Sequence, residues 1–549
     1  MPDEPRPEPI TPPADFPVEW DEPSDARRAW MQEVWHTPAP VTPLSFDVND
    51  RTLYEGFRQG GAAKGFPTRT AITRINTYLY RGERRPLPDD PVPADDVPEG
   101  AANLAMWDET WLPEIQQHLR HFERFDLGAA DDVEIAAHIE DTLDRTARFW
   151  TIHSMVEVGQ LGFSAFAGEL LGVDELTAAT MLQGFPNKSL EAGDGVRRLA
   201  VSARAVEGAA AIVRSTEAAE LLTALRGLPA AAGLLDEIDT FLAEFGRKSD
   251  NFTEMADVTW VENPTPLFAL LKLYLDDETD FDTRRAELVD ARERAIEAAR
   301  QQLAGDDANL DRFNERLEIA QRTSMLMENH NYWIDQQSMY WVRQALVEGG
   351  RRLQQRGAIT DVEDVMYVEL AELLDRLRSD DTTDLGGRIA ERRAEMERWA
   401  PVDAPAFLGV DVPRRPGVRL MFGLDSDVES RDDDETAAIV EMTGQAGSPG
   451  THTGRARVIE SIADGERLQS GDVMVTMTTS PPWTPLFGVA GALVTDAGGV
   501  LSHCAIVARE YGIPAVVGSG NATQAIADGA LVEVDGTAGV VRILEAAGE

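Results

Sequence analysis

The sequence predicts a multidomain chain, with a large mainly α-helical domain followed by a compact α/β domain, and three observations carry that expectation. At 549 residues the chain is long enough for two or three domains, each with its own core. Between about 50 and 400 the apolar residues recur mainly at helical spacing. After about 447 the pattern changes to short apolar runs at 472–476, 492–495, 515–517 and 531–534, separated by turn or helical segments.

Taken in order, residues 1–45 are rich in proline and acids and read as an N-terminal arm, with Trp20, Trp30 and Trp35 available to pin it to the body. Residues 46–400 form the helical domain. In it Asp131-Asp-Val-Glu134 starts a helix with acids in the first turn, 200–226 keeps helical spacing, and 283–303 is a helix rich in Ala, Arg and Glu. Gly227-Leu-Pro229 and Asn263-Pro-Thr-Pro266 punctuate it. Residues 401–446 read as a linker and hinge, where Pro401, Pro405, Pro413 and Pro416 precede an acidic run at 425–435. That run lacks the sixth-position glycine of a calcium-binding loop, so it reads as a solvated charged segment. Residues 447–545 form the α/β domain.

A formal charge of −45 argues against nucleic acid and anionic membrane as partners, because both need a basic footprint. With 43% hydrophobic residues but no apolar run of membrane-spanning length, the chain reads as globular. Its start lacks a signal-peptide core, so a cytoplasmic location is the default expectation. The lysines are Lys64, Lys188, Lys248 and Lys272, so the cationic side chains are nearly all arginine. The single cysteine, Cys504, excludes an internal disulfide and reads as a small buried thiol.

The residue with the clearest chemical setting is His503. It follows Thr495-Asp-Ala-Gly498-Gly499-Val-Leu-Ser502 and opens an amphipathic helix that ends at Gly512-Ile-Pro514. An imidazole at a helix N-terminus lies beside unpaired N–H groups and a positive dipole end, which favour a phosphoryl group on the ring. Gly498 and Gly499 allow a tight turn, and Ser502 can cap the helix or orient the ring. Thr495, at the end of the preceding strand, is placed to bond the imidazole or the phosphate. Arg509 is the natural charge partner for that phosphate, with a structural Arg509–Glu510 pair as the alternative.

The stretch from Gly447 to Leu544 resembles the swivelling phosphohistidine domain of the phosphoenolpyruvate-utilising enzyme family. The motifs that carry the resemblance are Gly447-Ser-Pro-Gly450, Gly454-Arg-Ala-Arg-Val458, Gly471-Asp-Val473, Pro482-Trp-Thr-Pro-Leu486, the Gly-Gly-x-x-Ser-His core and Val534-Asp-Gly536. The resemblance implies that His503 takes phosphate at one active site and delivers it at another. In the helical region Leu182-Gln-Gly-Phe-Pro-Asn-Lys-Ser189, Phe245-Gly-Arg247, Trp260-Val-Glu-Asn-Pro264, Glu348-Gly-Gly-Arg-Arg352 and Asp361-Val-Glu-Asp364 resemble the acceptor region of rifampicin phosphotransferase and phenylphosphate synthase. Neither an ATP-grasp module nor a phosphoenolpyruvate-binding barrel is recognisable. The resemblance therefore implies one subunit of a split phosphotransferase. A separate ATP-grasp subunit would bind ATP and Mg²⁺, release AMP and inorganic phosphate, and load His503. The implied acceptor is a small aromatic hydroxyl compound. A split phosphoenolpyruvate synthase or dikinase component, and a non-catalytic phosphocarrier, stand as alternatives.

For the acceptor site, 323–352 reads as one helix in which Met325, Tyr332, Met339 and Leu346 recur every seven residues. Glu328 and Asp335 border that seam, and His330 and Tyr332 add polar and aromatic character suited to binding a phenol and removing its proton. His153 is a further base candidate. The competing reading is a core helix with satisfied polar residues. No His, Cys, Asp or Glu cluster has metal-ligand spacing, and no metal is expected on this chain.

Overall fold

The computed structural model describes residues 9–84, 100–410 and 440–547, apart from 21, 35, 65–68, 157–158, 278 and 501. A large helical region is followed by a C-terminal α/β domain. The chain forms two compact units, Met1–Glu157 with Asn251–Val258 and Trp333–Arg415, and Val158–Asp250 with Thr259–Tyr332 and Pro416–Glu549. The division differs from the consecutive one expected from composition, because it follows contacts distant in sequence. Glu254, for example, accepts hydrogen bonds from Thr42 and Ser45.

The helices used below are α1 (Asp132–Met155), α2 (Lys188–Ala205), α3 (Phe281–Gln302), α4 (Asp307–Asn331), α5 (Gln337–Gln355) and α6 (His503–Tyr511). The strands of the first unit are β1 (Ala29–Gln32), β2 (Arg69–Ile75), β3 (Tyr78–Arg84) and β4 (Phe407–Gly409). They pair antiparallel in the order β2-β3-β1-β4.

In the first unit α1 starts as its sequence predicts, with Asp131 and Glu134 forming a reciprocal capping box. The four-stranded sheet was not among the elements expected of the arm and the mainly helical body. Its buried core holds Phe16, Trp30, Tyr80 and Leu408, with Trp20 stacked on Trp30 at 6.3 Å. Trp20 and Trp30 thus belong to a sheet core rather than to an arm lying on the body, and Trp35 lies outside the described residues. The pairing joins segments nearly 400 residues apart, which local periodicity cannot register.

The second unit contains the eight strands β5 (Val440–Thr443), β6 (Gln445–Ser448), β7 (Thr451–Val458), β8 (Val473–Thr476), β9 (Ala492–Thr495), β10 (Ala515–Val517), β11 (Leu531–Asp535) and β12 (Val540–Glu545). Their order is β5-β12-β11-β7-β8-β9-β10-β6. The neighbours from β7 to β10 run parallel. The remaining pairs are antiparallel. Strands β8, β9 and β10 are buried along their whole length, which explains why they read as continuous apolar runs without alternation. Val473, Val475, Val494, Val516 and Val532 share one core, each contributing roughly 1.5–3 kcal/mol on burial.

Two helical expectations need correction. The 200–226 segment is broken into pieces, with α2 ending at Ala205 and Gly208, at φ +84°, preceding the next helical piece. The 323–352 helix is interrupted by a π turn over Tyr332–Gln336, between α4 and α5. The extra residue in that wider turn shifts the register, so the seven-residue seam does not continue on one face. The acidic run at 425–435 and most of the expected hinge lie outside the described residues. Among the described residues no single helix is long and apolar enough to cross a membrane.

Candidate functional site

His503 is the first residue of α6, immediately after the loop that leaves β9. The chemistry therefore sits beyond the carboxyl end of a parallel strand, the edge at which such sheets present their functional loops. The side chain is largely enclosed, at 11% exposure, yet both ring nitrogens have partners within the second unit. Nδ1 lies 3.2 Å from Glu328 Oε1 of α4. Nε2 lies 3.3 Å from the Thr484 hydroxyl. With an Nδ1–H donating to the carboxylate, Nε2 carries the ring's lone pair and accepts from Thr484.

Glu328 is itself held. Its side chain is 2% exposed, and its Oε2 accepts the Ser189 hydroxyl at 2.7 Å. Burial pushes the carboxyl up, but His503, Ser189 and His330 together hold it below its ordinary value. A carboxylate kept ionised beside an imidazole N–H fixes tautomer and ring orientation. Ser189 reaches it because Asn187 caps α2 through Leu190 N–H at 2.9 Å, and because Lys188 N–H donates to Asn329 at 2.9 Å. Glu328, expected beside an acceptor, is thus in contact with the imidazole of His503.

The loop before His503 also differs from expectation. The Ser502 side chain does not cap α6; its hydroxyl donates to Gly499 O at 2.6 Å and lies 2.9 Å from Cys504 Sγ. The Thr495 hydroxyl faces the buried Cys504 Sγ at 3.9 Å, and the described partners of the imidazole are Glu328 and Thr484. Arg509 is buried, and its guanidinium donates to the carbonyls of Gly447 and Val500. Burial lowers it to about 10. Both described bonds end on backbone oxygens, so the side chain clamps the loop. Gly498 adopts φ +126°, and a Cβ there would come within 3.0 Å of Ser502 Oγ. Gly499 has no such constraint, its nearest neighbour being Gln445 at 3.6 Å.

The remaining candidates divide. His330 is buried, bonds Leu326 O at 3.0 Å, and is driven by burial to about 4, so it is neutral and anchored to its own helix. Tyr332 donates its hydroxyl to Glu244 O at 3.0 Å and takes Lys188 Nζ over its ring. Both belong to the second unit. Asp335 and His153 belong to the first unit, where they lie 3.8 Å apart. His153 sits there among aromatic rings, 4.8 Å from Trp150 and 5.9 Å from Phe57.

Thr484 had no role assigned from sequence, and Glu510 only the alternative pairing with Arg509. Thr484 follows Ser480-Pro-Pro-Trp483, a turn signal after a strand, and is fully buried at the start of a short helix. Glu510, at the other end of α6, accepts Gly184 N–H at 2.8 Å, and burial pushes it up to about 7. Ser164, Gln183, Ser324 and Glu510 border a cavity of about 20 Å³, the room of a single water. Among the described residues no group of three or more His, Cys, Asp or Glu can hold a metal ion.

Comparison with known proteins agrees with this architecture. Residues 468–539 match the family described as PEP-utilising enzyme, mobile domain. Residues 152–326 match the rifampicin phosphotransferase fourth domain. The chain is 33% identical to chondramide synthase of Chondromyces crocatus over 97% of its own length and 14% of that protein. It is 32% identical to rifampicin phosphotransferase of Streptomyces sviceus over 59% of this chain and 36% of that one. Identity to phosphoenolpyruvate synthase of Aeropyrum pernix reaches 50% over 19% of this chain and 13% of that protein. The chain thus spans well under half the length of each of these relatives. The chain thus carries a mobile domain of the phosphoenolpyruvate-utilising enzymes and a region like the fourth domain of rifampicin phosphotransferase.

Proposed function

We propose that this chain is a phosphotransferase component in which His503 Nε2 carries a phosphoryl group to a hydroxyl of a small, phenolic acceptor. The observation that carries the reading is the imidazole at the N-terminus of α6 with Nδ1 on Glu328 and Nε2 on Thr484. That arrangement leaves a neutral, oriented nitrogen at a helix end suited to an added dianion. The matches to the mobile domain and to rifampicin phosphotransferase support phosphoryl transfer. We place ATP and Mg²⁺ on a separate ATP-grasp subunit, which loads His503 with the β-phosphate and releases AMP and inorganic phosphate. The α/β domain then swivels between that subunit and the helical body, with 401–446 as the hinge, and the site works in the cytoplasm.

The experiment is label transfer from β-³²P-ATP to the full chain, with and without an ATP-grasp partner, followed by addition of phenols. Acid-labile, base-stable label that requires the partner and leaves on adding a phenol supports the reading. Label from phosphoenolpyruvate instead of ATP replaces the donor. Label that no small hydroxyl compound discharges replaces the enzyme with a phosphocarrier.

A further inference from the structure

The Glu328–His503 contact joins a residue of the helical region to the carrier of the α/β domain, and that chemistry has a direction. We propose that Glu328 is a positioning residue that activates phosphorylated His503 for discharge: by holding a proton on Nδ1 in the docked arrangement, it makes the ring a neutral leaving group. The inference rests on the carrier reading above and adds to it a reason for the phosphoryl group to be released here.

When Nε2 bears the phosphoryl group and Nδ1 is unprotonated, breaking the P–N bond expels an imidazole anion, a poor leaving group. When Nδ1 carries a proton, the same cleavage expels neutral imidazole. In the transfer step the P–Nε2 bond breaks and its electron pair stays on Nε2. A new P–O bond forms to the acceptor oxygen, the acceptor's hydroxyl proton passes to solvent, and the Nδ1 proton remains where it is. The product is the tautomer of the resting site, with Nδ1–H on Glu328 and a lone pair on Nε2. No electron is gained or lost.

Glu328 suits this role. It is almost fully buried, 3.2 Å from Nδ1, and braced on its other oxygen by Ser189. An enclosed carboxylate facing a ring N–H favours the cationic, protonated form of the phosphorylated imidazole. Since Glu328 belongs to α4 and His503 to α6, the contact exists only where the α/β domain meets the helical region. Away from it, the phosphorylated ring faces solvent without this carboxylate and is longer-lived. The titratable and charged groups around the pair are His330 on α4, Cys504, Arg509 and Glu510 on α6, and none of these is in hydrogen-bond contact with Nδ1. Ser189 from α2 and Thr484 beside Nε2 do not titrate in this range.

The test needs no acceptor beyond water. The full chain is phosphorylated with potassium phosphoramidate, which acts without a protein donor, and hydrolysis of phospho-His503 is followed by ³¹P NMR at pH 6 and pH 8. His503→Ala identifies the signal. In the unaltered chain the rate is expected to change little between the two pH values. Glu328→Gln, which keeps the shape, is expected to hydrolyse on the order of 10-fold more slowly at pH 8 and to regain most of that rate at pH 6, where solvent supplies the proton. Ser189→Ala, leaving the carboxylate in place, falls between. Equal rates for Glu328→Gln and the unaltered chain at pH 8, or a loss of the same size at both pH values, overturn the proposal. Failure to form phospho-His503 at all removes the carrier reading itself, an outcome distinct from these.

Discussion

The guanidinium of Arg509 and the carbonyl of Val500 are joined by a 2.9 Å hydrogen bond that ties the last turns of α6 to the loop leading into its first residue. A second bond to Gly447 O extends the tie to β6. Arg509→Met is therefore expected to leave two carbonyls without their donors and to loosen the 498–502 loop. A hydrogen bond from a charged donor is worth about 1.5–3 kcal/mol. Loading of His503 should fall by about 10-fold or more in single-turnover labelling, a loss corresponding to at least 1.4 kcal/mol. Arg509→Lys should recover only part of it, since an ammonium lacks the fork that serves two carbonyls at once. Full activity in Arg509→Met would show that the loop holds itself.

The two glycines of the loop should behave differently under the same substitution. Gly498→Ala places a Cβ at φ +126°, against Ser502 and Cys504. A cost of about 1–3 kcal/mol and loss of loading are expected. Gly499→Ala meets nothing closer than 3.6 Å and should keep both stability and loading. Urea denaturation of the two variants side by side checks the contrast.

Glu510 links stability to pH in the alkaline direction. Its carboxyl is raised to about 7 in the folded chain, against an ordinary value near 4.5. The folded state therefore holds this proton over a range where the unfolded state has lost it, and stability falls as pH rises from about 4.5 to about 7. The full cost above that range is about 3 kcal/mol. Glu510→Gln keeps an acceptor for Gly184 N–H and should be more stable than the unaltered chain at pH 8, with little difference at pH 4.5. Denaturation curves at the two pH values measure it.

Buried histidines act in the opposite direction. Burial drives both His330 and His138 to about 4. His138 is stacked on Phe125 at 3.7 Å. Between pH 6.5 and 4 the unfolded chain binds protons at these rings that the folded chain refuses, so stability falls as pH drops through that window. His138→Phe preserves a stacking partner for Phe125 and should flatten part of this acid limb. An unchanged acid limb in that variant would assign the loss to other groups.

Legibility from sequence followed the range of the interactions involved. The strands after 447 were readable because buried parallel strands are continuous apolar runs, and β9 and β10 fall on the expected residues. The place of His503 at the start of a helix was readable because loop, histidine and helix are contiguous. The first-unit sheet was not, since β1 pairs with β4 across almost the whole helical region. Glu328 was visible as a carboxylate beside an apolar seam, but its partner lies 175 residues away. The acceptor seam failed at Tyr332–Gln336 because a π turn changes the phase of a helix without leaving a glycine or proline to mark it. Asp335 and His153 find one another, yet belong with the aromatic rings of the first unit.

Cys504, the sole thiol, lies beneath the 498–502 loop, fully shielded, with Ser502 and Thr495 against its sulfur. Burial raises its pKa, which suppresses the thiolate that alkylating reagents require. A fluorophore or spin label attached through maleimide chemistry to a single introduced surface cysteine would therefore report from that position alone. Site-specific labelling of this chain is thus open with the native cysteine left in place.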